Sequence, residues 1–169
     1  MRIEFKNLDI GGLIIELPII QGGMGVQVST SSLVSAVSKE GALGVIAAVG
    51  LGEGGQDMAA DYITRSRMAL VKSIRETRSV TNNPFGINIM CALANYDDLV
   101  GAAEEENADV IISGAGLPLK LPSLVKNNKT KLIPIVSSGR AAHIICSVWQ
   151  RRYNRLPDAV IVEGPLAGG

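Results

Sequence analysis

The sequence predicts an α/β protein whose parallel strands are covered by helices, and two observations lead to this prediction. Short apolar runs alternate with segments of helical periodicity along the chain, and the runs are apolar on both faces, as expected for strands buried on both sides. The composition agrees, since 47% of the 169 residues are hydrophobic but only 4% are aromatic. We predict strands at Leu17–Gln21, Leu43–Ala48, Phe85–Met90, Val110–Ser113, Leu132–Ser137 and Ala159–Glu163.

Helical patterns fill the gaps between these runs. The first pattern, Ser31–Glu40, follows the capping candidates Ser29 and Thr30 and carries its apolar residues at helical spacing. The other predicted helices span Asp57–Arg78, Asp97–Glu106, Leu121–Lys126 and Ala141–Arg155.

Two architectures fit this repeated order of strand and helix: an open doubly wound sheet and a (β/α)8 barrel. All six strands end in candidate ligand groups. This favours the barrel, because an open sheet concentrates such groups at one switch point. About six of the eight units of a barrel are present. We therefore expect 1–169 to form an incomplete barrel domain, with an N-terminal hairpin at 1–16 on the barrel floor and β/α units one to six over 17–169.

Charge and cysteine content narrow the class of protein. The 16 basic and 16 acidic residues balance, which disfavours nucleic acid or an anionic membrane as a partner. No apolar stretch approaches the roughly 20 residues needed to cross a bilayer, and the first residues lack the apolar core of a signal peptide. Cys91 and Cys146 form no disulfide framework and have no metal-ligand spacing. We expect a cytoplasmic protein with reduced thiols and no metal site.

The loop after the first strand is the first candidate for ligand binding. In Gln21-Gly-Gly-Met-Gly, glycines allow the backbone to approach a flat ligand, and Met24 offers a polarizable surface. An ordinary tight strand-to-helix turn explains the same residues. Asn88 lies inside the third apolar strand, where a buried amide either bonds to backbone or faces a polar ligand.

Polar groups also end the later strands. Ser113, the pair Ser137-Ser138 and Glu163 are candidates for binding a phosphate or a ring edge, although helix caps and a structural ion pair are equally open explanations. His143, the only histidine, falls on a predicted surface helix, and no Ser-His-Asp set or paired carboxylates are apparent. Chemistry in this chain therefore requires a cofactor.

Taken in series, six motifs resemble the flavin-dependent nitronate monooxygenase family, formerly called 2-nitropropane dioxygenases, and the related FMN-dependent enoyl-acyl-carrier-protein reductases. The resemblance covers the whole chain in the right order. The motifs begin at Pro18 (Pro-Ile-Ile-Gln-Gly-Gly-Met-Gly), Gly41 (Gly-Ala-Leu-Gly-Val-Ile-Ala), Pro84 (Pro-Phe-Gly-Ile-Asn-Ile-Met), Ser113 (Ser-Gly-Ala-Gly-Leu-Pro), Ile133 (Ile-Pro-Ile-Val-Ser-Ser) and Glu163 (Glu-Gly-Pro-Leu-Ala-Gly-Gly).

The resemblance implies a (β/α)8 barrel that holds FMN over the carboxyl ends of its strands. The residues that it assigns to the cofactor site are Gly22, Gly23, Met24, Asn88, Ser137, Ser138, Glu163, Gly168 and Gly169. It also implies that the family's substrate-activating histidine follows Gly169 and that strands seven and eight hold most of the FMN phosphate. No catalytic residue is therefore expected within 1–169.

The activity implied is oxidation of alkyl nitronates with O2, or, in the related branch, reduction of an enoyl thioester. A small-molecule substrate is expected in either case. As an isolated chain, 1–169 is expected to bind FMN weakly, if at all, and to turn over nitronates negligibly. A different class of function also stays open, namely a non-catalytic barrel fragment that forms a homo-oligomer or binds a partner through its open edge.

Overall fold

The computed structural model describes residues 5–52 and 61–167, and within these ranges it contains seven strands and five helices. A two-stranded antiparallel hairpin precedes a five-stranded parallel sheet. The strands are β1 (Leu8–Ile10), β2 (Leu13–Ile15), β3 (Gly44–Ala47), β4 (Phe85–Met90), β5 (Val110–Gly114), β6 (Lys131–Val136) and β7 (Ile161–Val162). The helices are α1 (Ser31–Lys39), α2 (Tyr62–Val80), α3 (Tyr96–Glu105), α4 (Leu121–Leu124) and α5 (Gly139–Tyr153).

The order of the strands in the sheet distinguishes the two predicted architectures. The strands lie in the order β3-β4-β5-β6-β7, which is their order along the chain, and every pair is parallel. A doubly wound sheet reverses its strand order at a switch point, whereas a barrel adds each strand beside the previous one. The prediction of an incomplete (β/α) barrel is confirmed.

Alternate residues of each strand enter different layers of the core. Ile111 and Leu132 pack outward in a cluster with the helices, while their neighbours Ile112 and Ile133 pack inward. The inward cluster also contains Ile10 and Ile15 of the hairpin, whose turn at Gly11 receives a hydrogen bond from the Lys131 ammonium at the amino end of β6. The hairpin therefore covers the interior of the sheet at the amino ends of its strands.

The prediction of a first strand at Leu17–Gln21 is wrong, because this segment does not form a regular strand. This segment makes only an isolated parallel bridge, between Ile20 and Leu43, beside the start of β3. Its far side has no strand partner in the described part of the chain, and the Ile19 side chain is 57% exposed. Its pairing stops early because the Val45 amide bonds to the Gln21 side chain instead of the Gln21 backbone carbonyl, so no continuous ladder forms.

The sheet also ends in a short strand at its other edge. The predicted strand Ala159–Glu163 is reduced to the two residues of β7, which pair only with β6. Val162, which points away from the inward cluster, is 72% exposed. Both edges of the sheet thus carry exposed apolar side chains.

Helix boundaries differ from prediction where capping residues were misassigned. Helix α2 begins at Tyr62, because the Asp61 carboxylate caps it by accepting a hydrogen bond from the Thr64 amide at 2.7 Å. Residues 57–60, with which the predicted helix began, lie outside the described residues. Helix α3 begins after Asn95, whose side chain makes no capping hydrogen bond, rather than at Asp97, and α4 is a single turn. None of the helices in the described ranges has both the length and the hydrophobicity to cross a membrane; the cytoplasmic location stays a prediction.

Asp109 stabilises the amino ends of two strands. Its Oδ2 atom accepts hydrogen bonds from the Phe85 amide at 3.1 Å and from the Arg78 guanidinium at 2.7 Å. Phe85 is fully buried, and Arg78 also lies over its ring, 4.4 Å from the centroid. Removing the carboxylate would leave a buried strand amide without a partner.

We expect Asp109→Ala to lower the free energy of unfolding by about 2 kcal/mol, because the orphaned amide costs ~1–3 kcal/mol and the half-exposed ion pair adds little. Asp109→Asn should lose less than ~1 kcal/mol, since its amide oxygen still accepts from Phe85. Urea unfolding measures both. Glu105→Ala, which removes an exposed ion pair with Arg67, is the control. Equal losses in the two Asp109 variants would contradict this assignment.

Candidate functional site

A cavity of about 250 Å3 opens at the carboxyl ends of the parallel strands. The inward row of each strand ends at this cavity, so its wall is assembled from one or two residues per strand. The lining residues are Gly23, Ala47, Val49, Asn88, Met90, Gly114, Ala115, Ile135, Glu163 and Ala167. Of the nine residues predicted from sequence to bind a cofactor, the cavity brings together Gly23, Asn88 and Glu163.

The pattern of β4 places Asn88 in the cavity. Phe85, Ile87 and Ile89 are fully buried against the helices, so the intervening Asn88 and Met90 point inward. The Asn88 carbonyl accepts a hydrogen bond from the Ala48 amide at 3.0 Å. Its side-chain amide has no hydrogen-bond partner among residues 5–52 and 61–167, so two donors and one acceptor are available to a ligand.

The glycines of the first loop differ in their surroundings. A Cβ atom built on Gly23 would lie 2.7 Å from the Asn88 Cβ atom, so only glycine allows this close packing. A Cβ atom on Gly22 would meet no atom of the described residues within 4 Å. Met24, the third predicted residue of the loop, is 47% exposed and is not among the cavity-lining residues.

Two polar side chains at the base of this loop were missed in the sequence analysis. The Gln21 amide group bonds to the Val45 amide through Oε1 at 3.0 Å and to the Ser29 hydroxyl through Nε2 at 2.8 Å. The same hydroxyl accepts from the Met24 amide at 2.9 Å, and Ser29 is 1% exposed. Serine was considered only as a helix cap, and no periodic signal connects residues eight positions apart in a loop.

Ser113 lies on the other side of the sheet. Its hydroxyl donates to the Ile89 carbonyl at 2.9 Å and contacts the Tyr96 hydroxyl at 2.9 Å and the Cys91 sulfur at 3.3 Å. It therefore belongs to the buried layer between the sheet and α3, and the suggestion that it binds a ligand is wrong. Burial raises the pKa of Tyr96 well above its ordinary value, although the hydrogen bond with Ser113 opposes this effect.

The remaining predicted residues lie around the rim or outside it. Ser138 caps α5, accepting from the Ala141 amide at 3.2 Å, and both Ser137 and Ser138 are exposed. The Glu163 amide bonds to the Val136 carbonyl at 2.8 Å, which places its exposed side chain at the cavity wall. Gly168 and Gly169 lie outside the described residues.

Lys120 and His143 lie away from the cavity. The Lys120 ammonium forms an ion pair with the Asp97 carboxylate at 2.7 Å on the helical layer. His143 is exposed on α5, as predicted, with its Nε2 atom 3.5 Å from the Ser147 hydroxyl. Neither residue contributes to the wall of the strand-end cavity.

These features define a barrel-type α/β protein with a cavity at the carboxyl ends of its strands, where proteins of this architecture bind their ligands. Residues 7–107, more than half of the chain, match the family profile of nitronate monooxygenase. The chain belongs to the nitronate monooxygenase family, whose members are oxidoreductases.

Solved structures agree with this assignment. The structure of FabK from Thermotoga maritima superposes with a TM-score of 0.72 and 37% identity, over 92% of this chain and 43% of that one. Nitroalkane oxidase from Streptomyces ansochromogenes superposes with a TM-score of 0.73 over 95% of this chain and 49% of that one, but at 20% identity it supports the fold alone.

Two curated relatives share one name, (3aS,4S,5R,7aS)-5-hydroxy-7a-methyl-1-oxo-octahydro-1H-indene-4-carboxyl-CoA dehydrogenase. The protein from Mycobacterium tuberculosis is 28% identical over 169 residues, which are all of this chain and 41% of the relative. The protein from Rhodococcus jostii is 25% identical over 155 residues, or 92% of this chain and 38% of the relative. The chain thus spans about two fifths of the length of these relatives.

The buried phenol predicts a specific dependence of stability on pH. Because the pKa of Tyr96 is raised in the folded state, its contribution to stability is complete below the ordinary pKa of 10.0 and is lost as the pH rises above that value. We expect the stability difference between the native chain and Tyr96→Phe to shrink as urea unfolding is moved from pH 8 to pH 11. Tyr62→Phe, at a 40% exposed tyrosine, is the control. A constant difference across this range would contradict the role of burial.

Proposed function

We propose that the chain supplies part of the flavin site of an FMN-dependent oxidoreductase. The observation that carries this proposal is that Gly23, which packs against Asn88 without a Cβ atom, lines the same cavity as the unpartnered Asn88 amide, while the neighbouring Gly22 is exposed. A flat ring system needs close backbone approach on one face and a few directed hydrogen bonds at its edge. The described residues offer both at one place.

The residues present fit such a ring. Gly22, Gly23 and Met24 would lie along it, and the Asn88 amide would bond to its polar edge. Ser137, Ser138 and Glu163 would approach from β6 and β7, and Gly168 and Gly169 complete the proposed set. When bound, FMN supplies the redox chemistry, while the protein binds and orients it and excludes competing reactions.

For the whole protein we propose oxidation of alkyl nitronates with O2, with the family match as support. A second candidate has an observation of its own. Two relatives are named as dehydrogenases of a carboxyl-CoA compound, which favours a thioester substrate. FabK is similar at 37% identity, and the enoyl-acyl-carrier-protein reductase activity implied by the sequence resemblance also involves a thioester.

Titration with riboflavin and FMN tests the flavin site. We expect weak binding by the native chain and binding at least ~10-fold weaker for Gly22→Ala, a loss of about 1.4 kcal/mol. The new methyl group would occupy open space, so the thermal unfolding temperature should not change. Gly101→Ala in α3, where a Cβ atom would meet only Arg67 at 3.9 Å, is the matched control. No flavin binding by the native chain, or unchanged binding by Gly22→Ala, would contradict the proposed site.

A non-catalytic role in self-association is the candidate of another class. It is supported by the exposed apolar residues at the sheet edges, Ile19 and Val162. If a homo-oligomer forms through these edges, Val162→Lys should shift the mass measured by sedimentation toward the monomer. Val80→Lys, at a 48% exposed valine ending α2, should not. A monomeric native chain would exclude this role.

A further inference from the structure

The loop from Gly22 to Val28 leaves the edge of the sheet and returns to it. Before the loop, the Gln21 amide donates to the Leu43 carbonyl and the Leu43 amide donates to the Ile19 carbonyl, both at 2.9 Å, as in a parallel ladder. After the loop, the Ala47 amide donates to the Ser29 carbonyl at 3.3 Å. The loop thus leaves the sheet beside Leu43, immediately before β3, and returns to it at Ala47, the last residue of β3.

Where the loop leaves the sheet, a side chain replaces the backbone carbonyl as the hydrogen-bond acceptor. The next bond in the ladder would join the Val45 amide to the Gln21 carbonyl. Instead, the Val45 amide donates to the Gln21 side-chain oxygen at 3.0 Å. Val45 is fully buried, so its amide requires a partner. Because the side chain provides that partner, the backbone is free to turn away at residue 22.

The same side chain fixes the loop from within. Gln21 Nε2 donates to the Ser29 hydroxyl at 2.8 Å and also bonds to the Gly22 carbonyl. The Ser29 hydroxyl accepts from the Met24 amide at 2.9 Å and lies 3.3 Å from the Gly22 carbonyl. Gly22 and Met24, the outer residues of the proposed flavin contact, are therefore both held by one buried hydroxyl and one amide group.

We propose that Gln21 and Ser29 are positioning residues, which act on the flavin only through the loop that they hold. This inference rests on the proposed function. In this role, the two side chains keep Gly22, Gly23 and Met24 in the conformation that accepts a flat ring. A loop of glycines without this pair would sample many conformations, and ordering it on binding would weaken affinity.

Ser29→Ala tests the assignment, with Ser35→Ala as the matched control. Ser35 is also a buried serine, but among the described residues its hydroxyl bonds only to the Ser32 carbonyl within α1, at 3.1 Å. We expect Ser29→Ala to speed hydrogen exchange of the Met24 amide and to weaken riboflavin and FMN binding, each by at least ~10-fold. The visible spectrum of bound flavin should shift as well. Ser35→Ala should change none of these.

Gln21→Glu provides a second variant if Ser29→Ala does not fold. It keeps the acceptor for the Val45 amide but loses the donor to Ser29 and Gly22, so the same exchange and binding changes are expected. If the native chain binds flavin and both loop variants bind it equally well, the positioning role is overturned and the proposed function stands. If the native chain binds no flavin, the proposed function fails and the positioning role fails with it.

Discussion

The two-residue period of parallel strands is the constraint on which the rest of this structure depends. Alternate residues must face either the helices or the interior, so each position of β4 has a fixed assignment. Phe85, Ile87 and Ile89 take the helical side, and Asn88 is left for the interior. Because every strand runs in the same direction, the inward rows end together and form one cavity. A shift of one residue in β4 would bury the amide among helices and remove it from the site.

The second requirement is that the strand amides outside the regular ladder find partners. Amide and carboxylate oxygens of Gln21, Asp109 and Asp158 meet it in the same way, since each accepts a hydrogen bond from a strand backbone amide. Their acceptor distances are 3.0, 3.1 and 2.8 Å, to Val45, Phe85 and Leu132 respectively. In each case a polar side chain completes the edge or end of a strand. At Gln21 the same kind of hydrogen bond also allows the backbone to turn away from the sheet and form the loop beside the cavity.

Apolar periodicity was sufficient to predict the alternation of strands and helices and the inner strands, because burial on both faces leaves a clear pattern. The choice of a barrel over an open sheet depended on the candidate ligand groups at the strand ends and on the family resemblance. Periodicity failed at Leu17–Gln21, where a side chain of the segment replaces the backbone as partner of Val45 and the ladder stops, and it misplaced the start of α3. Asn88 was recognisable as an amide inside an apolar run. Ser113 looked equivalent, yet its hydroxyl contacts Tyr96 behind the sheet, because residue type alone does not specify the face. The Gln21–Ser29 contact depends on loop geometry, which periodicity does not encode.

The chemistry of the cavity wall suits recognition of a ligand by its shape more than by its charge. Among the cavity-lining residues of the described ranges, Glu163 is the only one with a titratable side chain, and it is exposed. The others offer backbone, one amide and apolar surface. Such a wall can hold and orient a flat ligand but supplies little acid or base of its own. In the proposed flavin site its contribution would therefore be precise placement of the redox group, which would depend on the rigidity of the loop after Gln21. The positioning of that loop is thus the feature through which this part of the barrel would influence the reaction.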